Sequence, residues 1–167
     1  QRFGPKVELL KVPVPVPDAA YQRALRQSSA WSVFAAAHPK WSVEFDEASG
    51  KPHRAFGPPI ATAGATPEER ALNFISAELG RFGVPAAELV HSTTAPTPKV
   101  TYVHFAQEHA GVPVVTGRLL VKLDALGRVI GFSTAVHEPI TLDMQPTVSG
   151  AQAVALAAAD LVHVTDS

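Results

Sequence analysis

The chain has 167 residues, of which 46% are hydrophobic and 17% charged, and this balance excludes an intrinsically disordered protein, since disordered chains combine low hydrophobicity with high net charge. A formal net charge of -1 provides no basic field that would attract nucleic acid or an anionic membrane surface. The absence of cysteine excludes disulfides, thiolate zinc sites and a cysteine nucleophile.

Residues 1–40 are predicted to form an arm followed by two short helices. Prolines alternate with valines in residues 12–17, and because proline removes a backbone donor and favours extended geometry, this stretch is predicted to be an edge strand or a polyproline arm. Asp18 is a typical N-cap for a helix over residues 19–27, and a second short helix or irregular turn follows over residues 30–37.

A β-hairpin is predicted next. Trp41, Val43 and Phe45 share one face of a strand, and the turn over residues 48–51 leads into a second strand over residues 53–57. Trp31, Trp41 and Tyr102 could form an exposed patch that a partner would cover, although a core position fits each tryptophan at least as well.

A helix with a strong start signal follows the hairpin. Thr66 is a cap residue, Pro67 occupies the first helical position and Glu69 stands three residues after the cap, which is the pattern of a capping box. The helix is predicted to end at Gly80 or Gly83. Its apolar face comprises Leu72, Phe74, Ile75 and Leu79.

The segment after this helix is predicted to be irregular. Residues 84–89 have the composition of a short turn. Residues 91–98 are polar and contain two prolines, and they are therefore predicted to form a surface loop.

Three antiparallel strands are predicted beyond this loop. Val103, Phe105 and Gln107 fall on one face of the first strand, and residues 124–127 make the turn between the second and the third. The resulting meander is predicted to pack on the preceding helix. The inward faces of the second and third strands are predicted to comprise Leu119, Val121 and Leu123, and Ile130, Phe132, Thr134 and Val136.

An alanine-rich helix closes the pattern. Ser149 is a typical cap for a helix over residues 151–162, in which the larger apolar residues are Val154, Leu156, Leu161 and Val162. The predicted elements describe an α+β fold, in which an antiparallel sheet, built from the hairpin and the meander, packs against one or two helices.

The run from Tyr102 to Val114 carries a family resemblance. It contains Gln107 and ends in a Gly-Val-Pro-Val corner, and it is followed by Gly117 and by the Asp-x-x-Gly turn over residues 124–127. This segment resembles the propeptide motif that fungalysin and thermolysin precursors share. The hairpin over residues 41–57 is similar to the one that opens such pro-regions.

The resemblance implies a domain organisation. Residues 41–140 would form the propeptide domain, with a cystatin-like fold, and residues 1–40 its arm and short helices. Residues 147–155 are similar to the first helix of the small PepSY-like domain that usually follows, so residues 146–167 would be an incomplete start of that domain. The resemblance thus implies that the chain is a cleaved piece or a fragment of a longer precursor.

The resemblance also implies a function and a partner. Such pro-regions fold first, assist the folding of a secreted zinc metallopeptidase and cover its active-site cleft until they are cleaved. The implied partner is the catalytic domain, in cis or as a cleaved non-covalent complex, and the implied zinc belongs to that partner, with no cofactor in this chain. The implied location is extracellular, with the signal peptide already removed.

The motif residues are the candidate partner contacts, namely Gln107, Glu108, His109, Gly111, Pro113 and Gly117. Gln107 fits two roles, either an amide that ties down a bend before Gly111, which we favour, or a direct contact with the peptidase. Gly111 and Gly117 suit a positive φ or a close backbone approach, and Pro113 stiffens the corner. Glu108 and His109 are either a solvent-facing pair, which we favour, or place a carboxylate near the partner's zinc.

The sequence predicts no catalytic activity of the chain's own. Its seven histidines are scattered without a helical i, i+4 pair, and His104 and His109 fall on opposite faces of a regular strand. No nucleophile elbow or phosphate-binding loop is present. The alternative to a pro-region is a structural or adhesion module of a larger extracellular protein, whereas no feature indicates a carbohydrate or small-ligand binder. No apolar run reaches the roughly 18 residues that would span a bilayer.

Overall fold

The computed structural model of the protein describes residues 16–142 and 145–165. The predicted arm lies outside the described residues as far as residue 15. The described elements are, in chain order, α1 (Ala19–Arg26), α2 (Ser29–Ala37), β1 (Ser42–Phe45), β2 (Pro52–Ile60), α3 (Pro67–Phe74), a π-helical turn (Ile75–Leu79), two 3-10 turns (Gly80–Phe82 and Ala86–Glu88), β3 (Leu89–Pro96), β4 (Val100–His109), β5 (Val112–Asp124), β6 (Val129–Ala135) and α4 (Gly150–Thr165).

The strands form one antiparallel sheet of six, in the order β1-β2-β6-β5-β4-β3. Helices α2 and α3 cover one face of this sheet and bury the core against it. The predicted α+β class, with a hairpin and a meander packed against helices, is therefore confirmed. The largest fully buried core side chains are Phe34, Phe74, Phe105, Phe132, Ile75, Leu79, Leu119 and Leu123.

The helix starts form as their capping residues predict. Asp18 accepts hydrogen bonds from the backbone of Ala20 and Tyr21 at the start of α1. Thr66 and Glu69 form the reciprocal capping box of α3, in which each side chain accepts a bond from the other's backbone. The helical course from α3 ends at Gly83.

Strand β3 contradicts the surface loop predicted for residues 91–98. It pairs along its length with β4, from Leu89 opposite Gln107 to Pro96 opposite Thr101. The loop prediction was wrong because β3 is an edge strand in which only Leu89 is buried, so its sequence shows no apolar alternation. The terminal Pro96 is tolerated since an edge strand has one row of unpaired backbone groups.

The register of β6 also differs from the prediction. Ile130 was assigned to the core face, but Val129 is fully buried and Ile130 only partly. The pairing with β5 shifts between Lys122 and Leu123, and this irregularity places Leu123 opposite Val129. Phe132, further along, lies on the predicted face.

The tryptophans belong to the core rather than to a surface patch. Trp31 and Trp41 are 6% and 7% exposed, and both contact Phe34. Helix α4 forms where the alanine-rich pattern predicts it, with Val154 and Leu156 exposed. The proposed division of the chain at residues 40 and 146 stays a prediction. Across the described part of the chain, every helix is too short or too polar to span a bilayer.

Candidate functional site

The candidate contact residues lie on the hairpin that joins β4 to β5. His109 pairs with Val112, so that only Ala110 and Gly111 form the turn. Both have positive φ, 48° and 80°, as a two-residue type I′ turn requires. The positive φ predicted as one possibility for Gly111 is confirmed.

Beyond this turn the two strands pair irregularly. Glu108 pairs with Pro113, yet Ala106 pairs with Arg118, so β5 contains extra residues over 114–117 that bulge from the ladder. Thr116 in this bulge has φ of 68°, an uncommon value for a β-branched residue.

Gly117 lets the side chain of Gln107 pass close beneath the bulge. A Cβ at Gly117 would lie 2.7 Å from Gln107 Cβ and 3.0 Å from its Oε1. Real Cβ atoms do not approach another heavy atom to 2.7 Å, so any larger residue would have to displace Gln107 or the bulge. The predicted close approach at Gly117 is confirmed.

Gln107 is fully buried and hydrogen-bonded at both ends of its amide. Its Nε2 donates to Glu88 Oε2 at 2.8 Å and to the carbonyl of His137 at 3.3 Å, while its Oε1 accepts from the amide of His137 at 2.8 Å. The Gln107 amide thus bonds the backbone of His137, two residues after β6, as a neighbouring strand would. It does so where β5 bulges away from the ladder. This arrangement agrees with the architectural interpretation of Gln107.

Glu88 completes the cluster, which we call the Gln107 cluster and define as Gln107, Glu88, His109 and His137. Glu88 Oε1 lies 3.0 Å from His109 Nδ1, and both side chains are mostly buried. The hydrogen bond from Gln107, and then that of His109, holds the pKa of Glu88 below its ordinary value of 4.5. Glu88 therefore carries a negative charge that is fixed at the base of the hairpin.

This lowered pKa predicts a pH dependence of stability. A carboxyl whose folded pKa lies below its unfolded value stabilises the protein above the unfolded value, here 4.5, and loses that contribution as the pH falls through the folded pKa. We expect Glu88→Gln to unfold at lower urea concentration than the wild type near neutral pH, with the difference shrinking in acid. Urea unfolding at a series of pH values measures it, and a difference that stays constant with pH would contradict the assignment.

The tip of the hairpin presents an apolar, solvent-exposed surface, which we call the hairpin tip and define as residues 110–116. Val115 is 84% exposed and Val112 is 46% exposed. Since β5 pairs with β6 only from Arg118 onward, residues 112–116 have a free edge there, where Pro113 is tolerated. The hairpin tip therefore presents exposed apolar side chains, and the Gln107 cluster lies beneath it.

The structure brings some of the candidate residues together and separates others. Gln107 packs against Gly117 and shares the Glu88 carboxylate with His109, whereas Gly111 and Pro113 belong to the hairpin tip and lie outside this cluster. Glu108 is half-buried on β4, and its side chain has no hydrogen bond or ion pair among the described residues. It stays a candidate partner contact. Glu88 and His137 were missed, since each is far from Gln107 in the sequence.

The described residues contain no group of three or more His, Asp or Glu side chains that could hold a metal ion. His104 lines a cleft on the open face of the sheet with His53 and Arg118, away from His109.

Comparison with known proteins leaves the family of the chain open. No protein-family model matches the chain, and no curated protein matches it. The chain is similar to one solved structure, the Bacillus megaterium YpeB C-terminal domain, with 15% identity and a TM-score of 0.42 over 84% of this chain and 74% of that one. At this identity and TM-score, the likeness assigns neither a fold family nor a function to the chain.

Proposed function

We propose that this chain is the pro-region of a secreted zinc metallopeptidase of the fungalysin and thermolysin type. In this role it would bind the catalytic domain, cover its active-site cleft and assist its folding. The single observation that carries the proposal is the hairpin tip, whose apolar surface stands on a buried polar base made by the motif residues Gln107 and Gly117.

The geometry suits such a role because a contact surface that is ordered before it binds keeps more of its interaction free energy. Ordering a loop on binding consumes part of the interaction free energy, whereas a surface already held in place does not incur that loss. Val112 and Val115 supply apolar area that a partner would remove from water. The sequence motif supplies the peptidase class, since the hairpin tip lies inside the segment that resembles the propeptide motif.

The direct test begins with the gene. We expect the reading frame that encodes this chain, or a neighbouring one, to encode a catalytic domain with a His-Glu-x-x-His helix. That domain, produced without this chain, should be inhibited when the chain is added in trans. Two results together would instead favour the structural or adhesion module. The reading frame would encode repeats or surface anchors, and the chain would leave peptidase activity unchanged.

A point variant locates the contact at the hairpin tip. Val115→Asp places a charge at the centre of the proposed contact, and we expect its inhibition constant to rise at least about tenfold, because a buried unpaired charge opposes association. The matched control is Leu126→Asp in the turn between β5 and β6, where Leu126 is 69% exposed. Equal inhibition by the two variants, with unchanged circular dichroism, would place the contact elsewhere.

A further inference from the structure

A second site lies beside the Gln107 cluster. A cleft of about 510 Å³ opens between the turn from β1 to β2 and the residues that follow β6. Thr116 and His137 form one wall, and Ser49 and Lys51 form the other. His137 thus belongs to both the cleft and the Gln107 cluster, which joins the two sites at the same end of the sheet.

Lys51 is the unusual residue of this cleft. It is only 6% exposed, although lysine is rarely buried unless its charge is paired. Within the described part of the chain its ammonium donates no hydrogen bond, and its one ion pair is with Glu138 at 4.0 Å, beyond hydrogen-bond reach. The Glu138 side chain is 82% exposed, so it neutralises the buried cation poorly.

Two carboxylates also line the cleft, Asp46 and the exposed Glu138, and Asp46 is already engaged. Asp46 accepts hydrogen bonds from Ser49 Oγ at 2.6 Å and from the amide of Ala48 at 3.1 Å, within its own turn. The bond from Ser49 holds the pKa of Asp46 below its ordinary value. The Asp46 carboxylate therefore stabilises the turn, and no ion pair joins it to Lys51 among the described residues.

We propose that this cleft binds a carboxylate, with the Lys51 ammonium as its counter-charge and hydrogen-bond donor. The stem of Lys51 is buried while the residue lines the cleft, so a carboxylate that enters the cleft can accept hydrogen bonds from the ammonium, which the exposed Glu138 at 4.0 Å does not do. The carboxylate comes either from an acidic side chain of a polypeptide or from a free organic acid. This site does not depend on the proposed function.

Titration of the full chain with three probes tests the site. The probes are the blocked peptide acetyl-Ala-Asp-Ala-amide, its Asn counterpart and glutarate, with the side-chain NMR signals of Lys51 as the readout. We expect the Asp peptide to shift these signals saturably and to bind at least about tenfold more tightly than the Asn peptide. If glutarate saturates the shift with the same affinity as the Asp peptide, the source of the carboxylate is a free organic acid. If glutarate does not bind, the source is an acidic side chain of a polypeptide.

Two variants separate a binding role from a structural one. Lys51→Met keeps the length of the side chain, and we expect it to lose Asp-peptide binding while the melting temperature stays at or above that of the wild type, since no hydrogen bond is lost. Lys122→Met, on the open face of the sheet, is the matched control and should bind normally. Glu138→Gln should tighten binding about threefold, because it removes the competing carboxylate.

Three results would overturn the proposal. They are equal affinity for the Asp and Asn peptides, undiminished binding by Lys51→Met, or weaker binding by Glu138→Gln. The last variant changes only an exposed side chain, so the test remains decisive even if Lys51→Met does not fold.

Discussion

Gln107→Leu is expected to lower the free energy of unfolding by about 3 kcal/mol, because it removes three hydrogen bonds of about 1 kcal/mol each and leaves part-buried polar groups without these partners. Leucine is close to glutamine in volume, so the loss would reflect hydrogen bonding rather than a cavity. The groups left behind are the backbone of His137 and the carboxylate of Glu88, which is negatively charged. Urea unfolding with an unchanged m-value measures the loss.

The control for this variant is Gln27→Leu, at the exposed end of α1. The backbone of Gln27 caps that helix, but its side chain is exposed, so we expect a change within about 0.5 kcal/mol. If both variants unfold at the same urea concentration as the wild type, the Gln107 cluster does not stabilise the protein. In that case the hairpin tip would have no fixed base.

Gly117→Ala is expected to lower the free energy of unfolding by about 2 to 3 kcal/mol, because its Cβ would overlap Gln107 and the bulge must move. The overlap with Gln107 Cβ, at 2.7 Å, is close to the backbone, where rotation of the side chain gives no relief. We expect the proposed inhibition of a peptidase in trans to weaken as well, since the hairpin tip rests on this contact. Thermal or urea unfolding, together with the inhibition assay, measures both effects.

Two other glycines provide graded controls for that variant. A Cβ at Gly111 would meet no atom within 4 Å, so Gly111→Ala should lose only the roughly 1 kcal/mol of a left-handed conformation. Gly80 has φ of -57° and equally open surroundings, and Gly80→Ala should raise stability by about 0.5 kcal/mol. The expected ranking is therefore the largest loss for Gly117→Ala, a smaller loss for Gly111→Ala and a small gain for Gly80→Ala. Any other ranking contradicts the packing argument.

Much of the fold could be predicted because its signals are local. The capping box at Thr66 needs only four consecutive residues, and the turn over residues 124–127 needs another four. The inward face of β4 follows from simple alternation, which correctly placed Gln107 beside Phe105 in the core. These features depend on spacing alone, so one sequence was sufficient.

The candidate site was only half predictable because its partners are distant in sequence. Gln107 and Gly117 belong to one motif, but Glu88 reaches the site because it directly precedes strand β3, whose polar edge sequence resembles a loop. The β-branched residues Val90, Thr93 and Thr94 were the available signal for that strand. His137 reaches Gln107 because β5 bulges, and a bulge of that kind has no pattern in the sequence.

The bonds of Gln107 also bear on the order in which the chain folds. They join residues that are 19 and 30 positions apart, so they close only after β3 to β6 have assembled, whereas the two-residue turn at Ala110 and Gly111 forms early. Removal of Gln107 should therefore accelerate unfolding more than it slows folding. A partner that recognises the folded hairpin tip would find that conformation only on fully folded chains. Binding would therefore select chains that have already folded.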